Sequence, residues 1–176
     1  MLKIETMLLM GALALAVVAC SGSSAQMVQT HVEAQHEGKP ITDVLIIAMI
    51  EDQEIRAILE KHFKDWLNVK GVEAMISADV LPVKVGTKLE KEAILKVLEE
   101  HENDTILITR VVGFGETEVF SRSRPQVFFN YYGYYNYALG YIYWPTVYGE
   151  KVQLSLETAL YDVKTESPIW AGVSQL

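Results

Sequence analysis

The chain has 176 residues, with 15 Lys plus Arg against 23 Asp plus Glu, and a formal net charge of −8. That acidic balance argues against a nucleic-acid footprint, which needs clustered Lys and Arg, and against electrostatic attachment to anionic lipid headgroups. A single cysteine, Cys20, leaves no internal disulfide and no cysteine-based zinc site to expect.

Cys20 ends an apolar run from Met7 through Leu13 to Val17-Val18-Ala19, and Ser21-Gly22-Ser23-Ser24 follows at once. An apolar h-region, small residues before the cut and a polar exit mark residues 1–19 as a secretory signal peptide. The run is shorter than the roughly 20 apolar residues a spanning helix needs. Val17-Val18-Ala19-Cys20 resembles the bacterial lipobox, in which the Cys20 thiol takes a diacylglycerol and cleavage falls just before it. An ordinary cut after an Ala-x-Ala site and a retained anchor are the alternatives. Several acyl chains on one residue hold a protein stably, because each buried methylene contributes about 0.8 kcal/mol. Ser21, in place of Asp, points by the same resemblance to the outer membrane rather than the inner one.

Residues 20–40 are polar, without a sustained apolar period, and read as a lipidated N-terminus with a flexible tether. His31 and His36 lie there, and no neighbouring ligand completes a metal site. The folded domain is expected over residues 41–176. Val44 to Ile50 is a short, continuous apolar run rich in β-branched residues, the pattern of a strand buried on both faces. Asp52 is placed to cap a following helix. In that helix Ile55, Ile58, Leu59, His62, Phe63, Trp66 and Leu67 share an apolar stripe expected to face the core, with Gly71 as its stop. Arg56 and Glu60 form an i, i+4 pair of the ordinary kind.

Val72 to Leu81 is expected as a second strand, and Leu89 to Glu102 as a second helix with Ala93, Ile94, Val97 and Leu98 on its packed face. Thr105 to Val112 follows as a third apolar strand. Short right-handed crossovers turn this βαβαβ order into a parallel core. Val152 to Asp162 alternates apolar and polar residues, as a half-exposed antiparallel strand does. Ile169 to Ser174 returns as its hairpin partner, an edge that is either bare or covered. The fold class expected is therefore α/β: a βαβαβ core with parallel strands, extended by a C-terminal antiparallel β-hairpin, with helices packed on the sheet.

An aromatic insert occupies about residues 122–149 and holds eight of the nine tyrosines, all of them after the basic cluster Ser121-Arg122-Ser123-Arg124 at its start. Tyr131, Tyr132, Tyr134, Tyr135, Tyr137, Tyr141, Tyr143 and Trp144 are its candidate binding surface. Three readings stand: a loosely packed surface loop whose rings partly cover the sheet; a recognition surface, for which Tyr offers area and a polar tip at low entropy cost; or a segment at the membrane interface. Peptidoglycan or lipopolysaccharide glycans suit such rings.

Catalytic and cofactor motifs fail in turn. Gly113-Phe114-Gly115 lacks a third glycine at dinucleotide spacing, and Glu116 and Glu118 repel phosphate. Gly86-Thr87-Lys88 lacks the rest of a P-loop. No Gly-x-Ser-x-Gly elbow and no His-Glu-x-x-His helix is present. His62, His101 and Arg110 read as structural, Arg110 as a buried charge that needs a partner. No cofactor and no metal is expected, and catalytic residues are none.

The order of lipobox, Val44–Ile50, the helix with Arg56 and Phe63, Gly71-Val72-Glu73-Ala74, Thr105–Val112, the Tyr/Gly-rich insert, and Leu160-Tyr161-Asp162-Val163-Lys164 before Ile169-Trp170-Ala171-Gly172 resembles a group of Gram-negative outer-membrane lipoproteins. It is similar to domain of unknown function 4136 and, more distantly, to the periplasmic α/β domain of the curli secretion channel and the N-terminal domain of TolB. The resemblance implies a periplasm-facing, lipid-anchored protein of the outer membrane. Its expected partners are the membrane, through the Cys20 lipid, and an unidentified envelope protein or glycan. A non-enzymatic binding or scaffold role leads; a glycan-binding or glycan-processing role and a ring-forming secretion component are the alternatives.

Overall fold

The computed structural model describes residues 26–32, 40–81, 91–114, 128, 130–140 and 154–175. Ten elements follow in chain order: β1 (Gln26–Val32), β2 (Asp43–Met49), α1 (Gln53–Val69), β3 (Glu73–Ile76), α2 (Ser77–Val80), α3 (Lys91–Glu100), β4 (Thr105–Phe114), α4 (Tyr131–Leu139), β5 (Leu154–Asp162) and β6 (Pro168–Gln175). Six strands form one sheet in the order β1-β6-β5-β4-β2-β3. The α/β class, the parallel core and the antiparallel hairpin agree with the sequence reading.

β2 sits inside the parallel part because its residues are apolar on both faces. It pairs parallel with β3 on one side and β4 on the other, and Val44 to Met49 are all buried. One face packs Leu45, Ile47, Ile106, Ile108 and Tyr161 against α3 and α4. The other packs Val44, Ile46, Leu107 and Leu160 against Phe63 and Leu67 of α1.

α1 begins where Asp52 Oδ1 accepts hydrogen bonds from the Glu54 and Ile55 N–H groups at 2.8 and 2.9 Å. It ends at Gly71, whose φ of +83° is open to glycine at no steric cost. Its orientation departs from expectation. The residues turned toward the sheet include the charged pair Arg56 and Glu60, 5% and 0% exposed, so this is no ordinary surface pair. Glu60 Oε1 accepts from Arg56 Nε at 3.0 Å, from Ser77 Oγ at 2.6 Å and from Ala48 N–H at 2.9 Å, while Oε2 accepts from Ala78 N–H at 2.9 Å.

The cause lies in the sheet. β3 pairs with β2 only as far as Ile46↔Ile76, so Ala48 runs past the end of its neighbour. The Glu60 carboxylate accepts from Ala48 N–H in place of a partner strand, and it ties down the start of α2 through Ala78. This is also why the expected strand over 72–81 is only four residues long before the chain turns helical.

Three further differences have physical reasons. β1 lies inside the stretch read as a flexible tether; it pairs antiparallel with β6 and covers the edge left open in the sequence reading. β5 is buried from Ser155 to Tyr161 rather than on one face only, because it is an interior strand between β4 and β6. On α3, Ile94, Val97 and Leu98 are buried as expected, but Ala93 is exposed.

Candidate functional site

Two features stand out from the ordinary packing: the tyrosine helix with the ion pair beneath it, and the outer face of α1. Cys20 lies outside the described residues, as do Tyr141, Tyr143 and Trp144.

The described part of the aromatic insert is a helix, not a loop. Asn130 caps α4, its Oδ1 accepting from Gly133 N–H at 2.7 Å. Tyr131, Tyr134, Tyr135 and Ala138 then recur at i, i+3, i+4 and i+7, and all four are buried. Three candidate surface residues, Tyr131, Tyr134 and Tyr135, therefore belong to the core, while Tyr132 and Tyr137 stay half-buried. Of the first expected reading, a loosely packed surface loop whose rings partly cover the sheet, the covering of the sheet holds for these residues and the loose loop does not. The glycan reading loses three of the rings it would use, Tyr131, Tyr134 and Tyr135. Even spacing of aromatics on both faces of the helix hid this pattern in the sequence.

α4 holds the charge in the middle of β4. Arg110 Nε donates to Glu157 Oε1 at 2.9 Å across the β4–β5 ladder, where the two residues stand opposite each other. Tyr134 donates its O–H to the same carboxylate oxygen at 2.9 Å. Arg110 donates to Tyr137 Oη at 3.1 Å, and its guanidinium carbon lies 4.8 Å from the Tyr137 ring centroid. Burial works against the Arg110 charge, but the Glu157 carboxylate outweighs it and raises the Arg110 pKa. Burial first, and then the Glu157 charge, push Tyr134 well above the ordinary tyrosine value. Arg110 is thus the structural charge the sequence suggested, with Glu157 as the ion partner that was missing from that reading.

Tyr131 differs. Its ring is buried and packs under Lys91, which pairs with Glu166, yet its hydroxyl has no hydrogen-bond partner among the described residues. Burial raises its pKa, with the Glu166 charge adding to the effect.

α1 carries the exposed feature. Ile55, Ile58, His62, Trp66 and Val69 recur at i, i+3, i+7, i+11 and i+14, an arc of about 80° on the helical wheel. All five are exposed, Trp66 at 62% and Val69 at 84%. The stripe expected to be buried is split: Leu59, Phe63 and Leu67 turn inward, while Ile55, Ile58, His62 and Trp66 form an outward ridge with Val69. Along it Lys61 pairs with Asp65 at 2.7 Å, and Lys70 Nζ sits 5.7 Å from the centroid of the Trp66 ring. The Lys61 bond holds the Asp65 carboxyl below its ordinary value. His101, the other histidine read as structural, is exposed as well.

Among the described residues there is no group of three or more His, Cys, Asp or Glu able to hold a metal ion, and no helix long and apolar enough to cross a membrane. No family model matches the sequence. No curated protein matches it either, so the expected kinship with domain of unknown function 4136 is not carried further. Solved structures give distant likenesses. A dodecamer of a PelC variant from Paraburkholderia phytofirmans is similar at 9% identity and a TM-score of 0.44, over 87% of this chain and 80% of that one. A second PelC dodecamer from the same organism gives 9% and 0.43 over the same shares. Lipoprotein GNA1162 from Neisseria meningitidis gives 14% and 0.42, over 78% of this chain and 80% of that one. At TM-scores below 0.5 these likenesses carry no inference about function.

Proposed function

We propose that this chain is a lipid-anchored binding and scaffold protein of the bacterial outer membrane. It faces the periplasm, is held by acyl chains on Cys20, and acts through contacts with an envelope protein. The observation that carries the binding role is the α1 ridge. A domain that leaves Ile55, Ile58, Trp66 and Val69 in water, while burying the Arg56–Glu60 pair of the same helix, keeps apolar surface outside for contact. A Trp toward one end of the ridge, beside paired charges, fits a protein partner, since interfaces concentrate binding energy in buried Trp, Tyr and Arg within a polar rim.

The anchor reading rests on Val17-Val18-Ala19-Cys20. A photo-crosslinking residue at Ile58 in the lipidated protein, compared with one at exposed Glu99, tests the binding role in the intact envelope. The expected result is a discrete adduct from position 58 that Trp66→Ala abolishes. No adduct, or one formed equally from both positions, would count against it.

A further inference from the structure

The start of β1 sets where the anchor leaves the fold. Gln26 stands opposite Gln175 of β6, Gln175 opposite Ser155 of β5, and Ser155 opposite Gly113 of β4. These residues form one row across the sheet, at the end where β2 and β4 finish and α1 begins. At the other end Thr105 stands opposite Asp162, and Asp43 opposite Glu73. The strand β4 rises about 27 Å from Thr105 to Gly113. From Cys20 to Gln26 the chain takes only six Cα steps, a fully extended reach of about 21 Å.

Given the lipid anchor proposed above, we infer that the end of the sheet carrying Gln26, Gly113 and the start of α1 faces a phospholipid surface, and that the Asp43–Glu73 end points away from it. With the Asp43–Glu73 end against the bilayer, Gln26 would stand farther from the headgroups than the tether can span. Half-exposed Met27, in the second position of β1, adds an apolar contact beside the anchor.

The consequence for function is specific. α1 starts at the bilayer-facing end and runs away from it, so Trp66 and Val69 lie about 17–21 Å farther along the helix axis than Ile55. The Trp66 end of the ridge meets its partner in the aqueous periplasm.

Because Cys20 is the only cysteine and the lipid consumes its thiol, one introduced cysteine is the only free thiol to label. The lipidated protein, as Gln53→Cys or as Glu99→Cys, is labelled with a fluorophore and reconstituted in phospholipid vesicles whose headgroups carry a nitroxide quencher. Both positions are exposed, one at the start of α1 and one late in α3 ahead of β4. Quenching several-fold stronger at position 53 is the expected result. Equal quenching, from a domain lying on its side, or stronger quenching at 99, overturns the orientation. Failure of the anchor is read separately, by flotation: if the lipidated protein floats no better with vesicles than a Cys20→Ser variant, the anchor falls and the orientation falls with it.

Discussion

Glu60→Ala is the sharpest test of how this sheet is held together. The carboxylate has no exposed surface and accepts from two backbone N–H groups, one hydroxyl and one guanidinium. Truncation removes the acceptor of the Ala48 and Ala78 amides and the ion partner of buried Arg56. Breaking a buried pair by removing one partner costs about 3–5 kcal/mol, much of it from the charge left behind. Each buried donor that loses its acceptor adds about 1–3 kcal/mol unless water reaches it. We expect a loss of about 4 kcal/mol, since relaxation around Arg56 and entry of water recover part of the sum. With a urea slope of about 2 kcal/mol per molar, the unfolding midpoint falls by about 2 M. Equilibrium urea unfolding, followed by far-UV circular dichroism on the mature-length protein, measures the shift. A midpoint lower by less than about 0.5 M would refute the role given to Glu60 as the acceptor beyond the end of β3.

The tyrosines supply a paired comparison: Tyr134→Phe loses a bond to a carboxylate and costs about 1.5–3 kcal/mol, whereas Tyr131→Phe removes a hydroxyl without a partner among the described residues and is neutral or stabilising, both read from thermal unfolding. Burial raises the pKa of Tyr131, Tyr134 and Tyr161 in the folded chain. Their stabilising contribution is complete below the ordinary tyrosine value of 10 and is lost as pH climbs toward the folded values. Stability then falls above pH 10, by up to about 1.4 kcal/mol per pH unit for each tyrosine, and tyrosinate absorbance should rise together with unfolding. On the ridge, Trp66→Ala and Ile58→Ser change stability by no more than about 0.5 kcal/mol, because both side chains are exposed, while reducing partner crosslinking from α1. A large stability loss there would mean that the ridge is part of the fold rather than a contact surface.

Much of the fold was legible because local chemistry and tertiary role agree. The apolar runs of β2 and β4, the Asp52 cap, the Gly71 stop and the hairpin turn, in which Asp162 Oδ1 accepts from the Thr165 N–H and hydroxyl, all read directly. β1 did not, since an edge strand written Gln-Met-Val-Gln-Thr-His-Val carries too little apolar character to stand out from a tether. α1 was legible as a helix but not in its facing. Apolar periodicity assumes that charge points outward, and here an unmatched strand end draws Glu60, and Arg56 with it, inward. α4 was hidden for the opposite reason: aromatics on every side leave no contrast for a period to show, and only Asn130 with the 131/134/135/138 spacing betrays it. The site followed the same logic. The tyrosines were picked out by composition, which says nothing of which ring faces the core, while the ridge was seen in the sequence and assigned to the wrong side of the helix.

Lipid on Cys20, proposed to hold the domain to the envelope, is read from the mass of the N-terminal peptide of the protein extracted from bacterial membranes. The expected mass is that of a mature chain that begins at Cys20, with a diacylglycerol thioether on the sulfur and residues 1–19 removed. A chain that begins at Ser21 or later, or one with an unmodified Cys20 thiol, would contradict it.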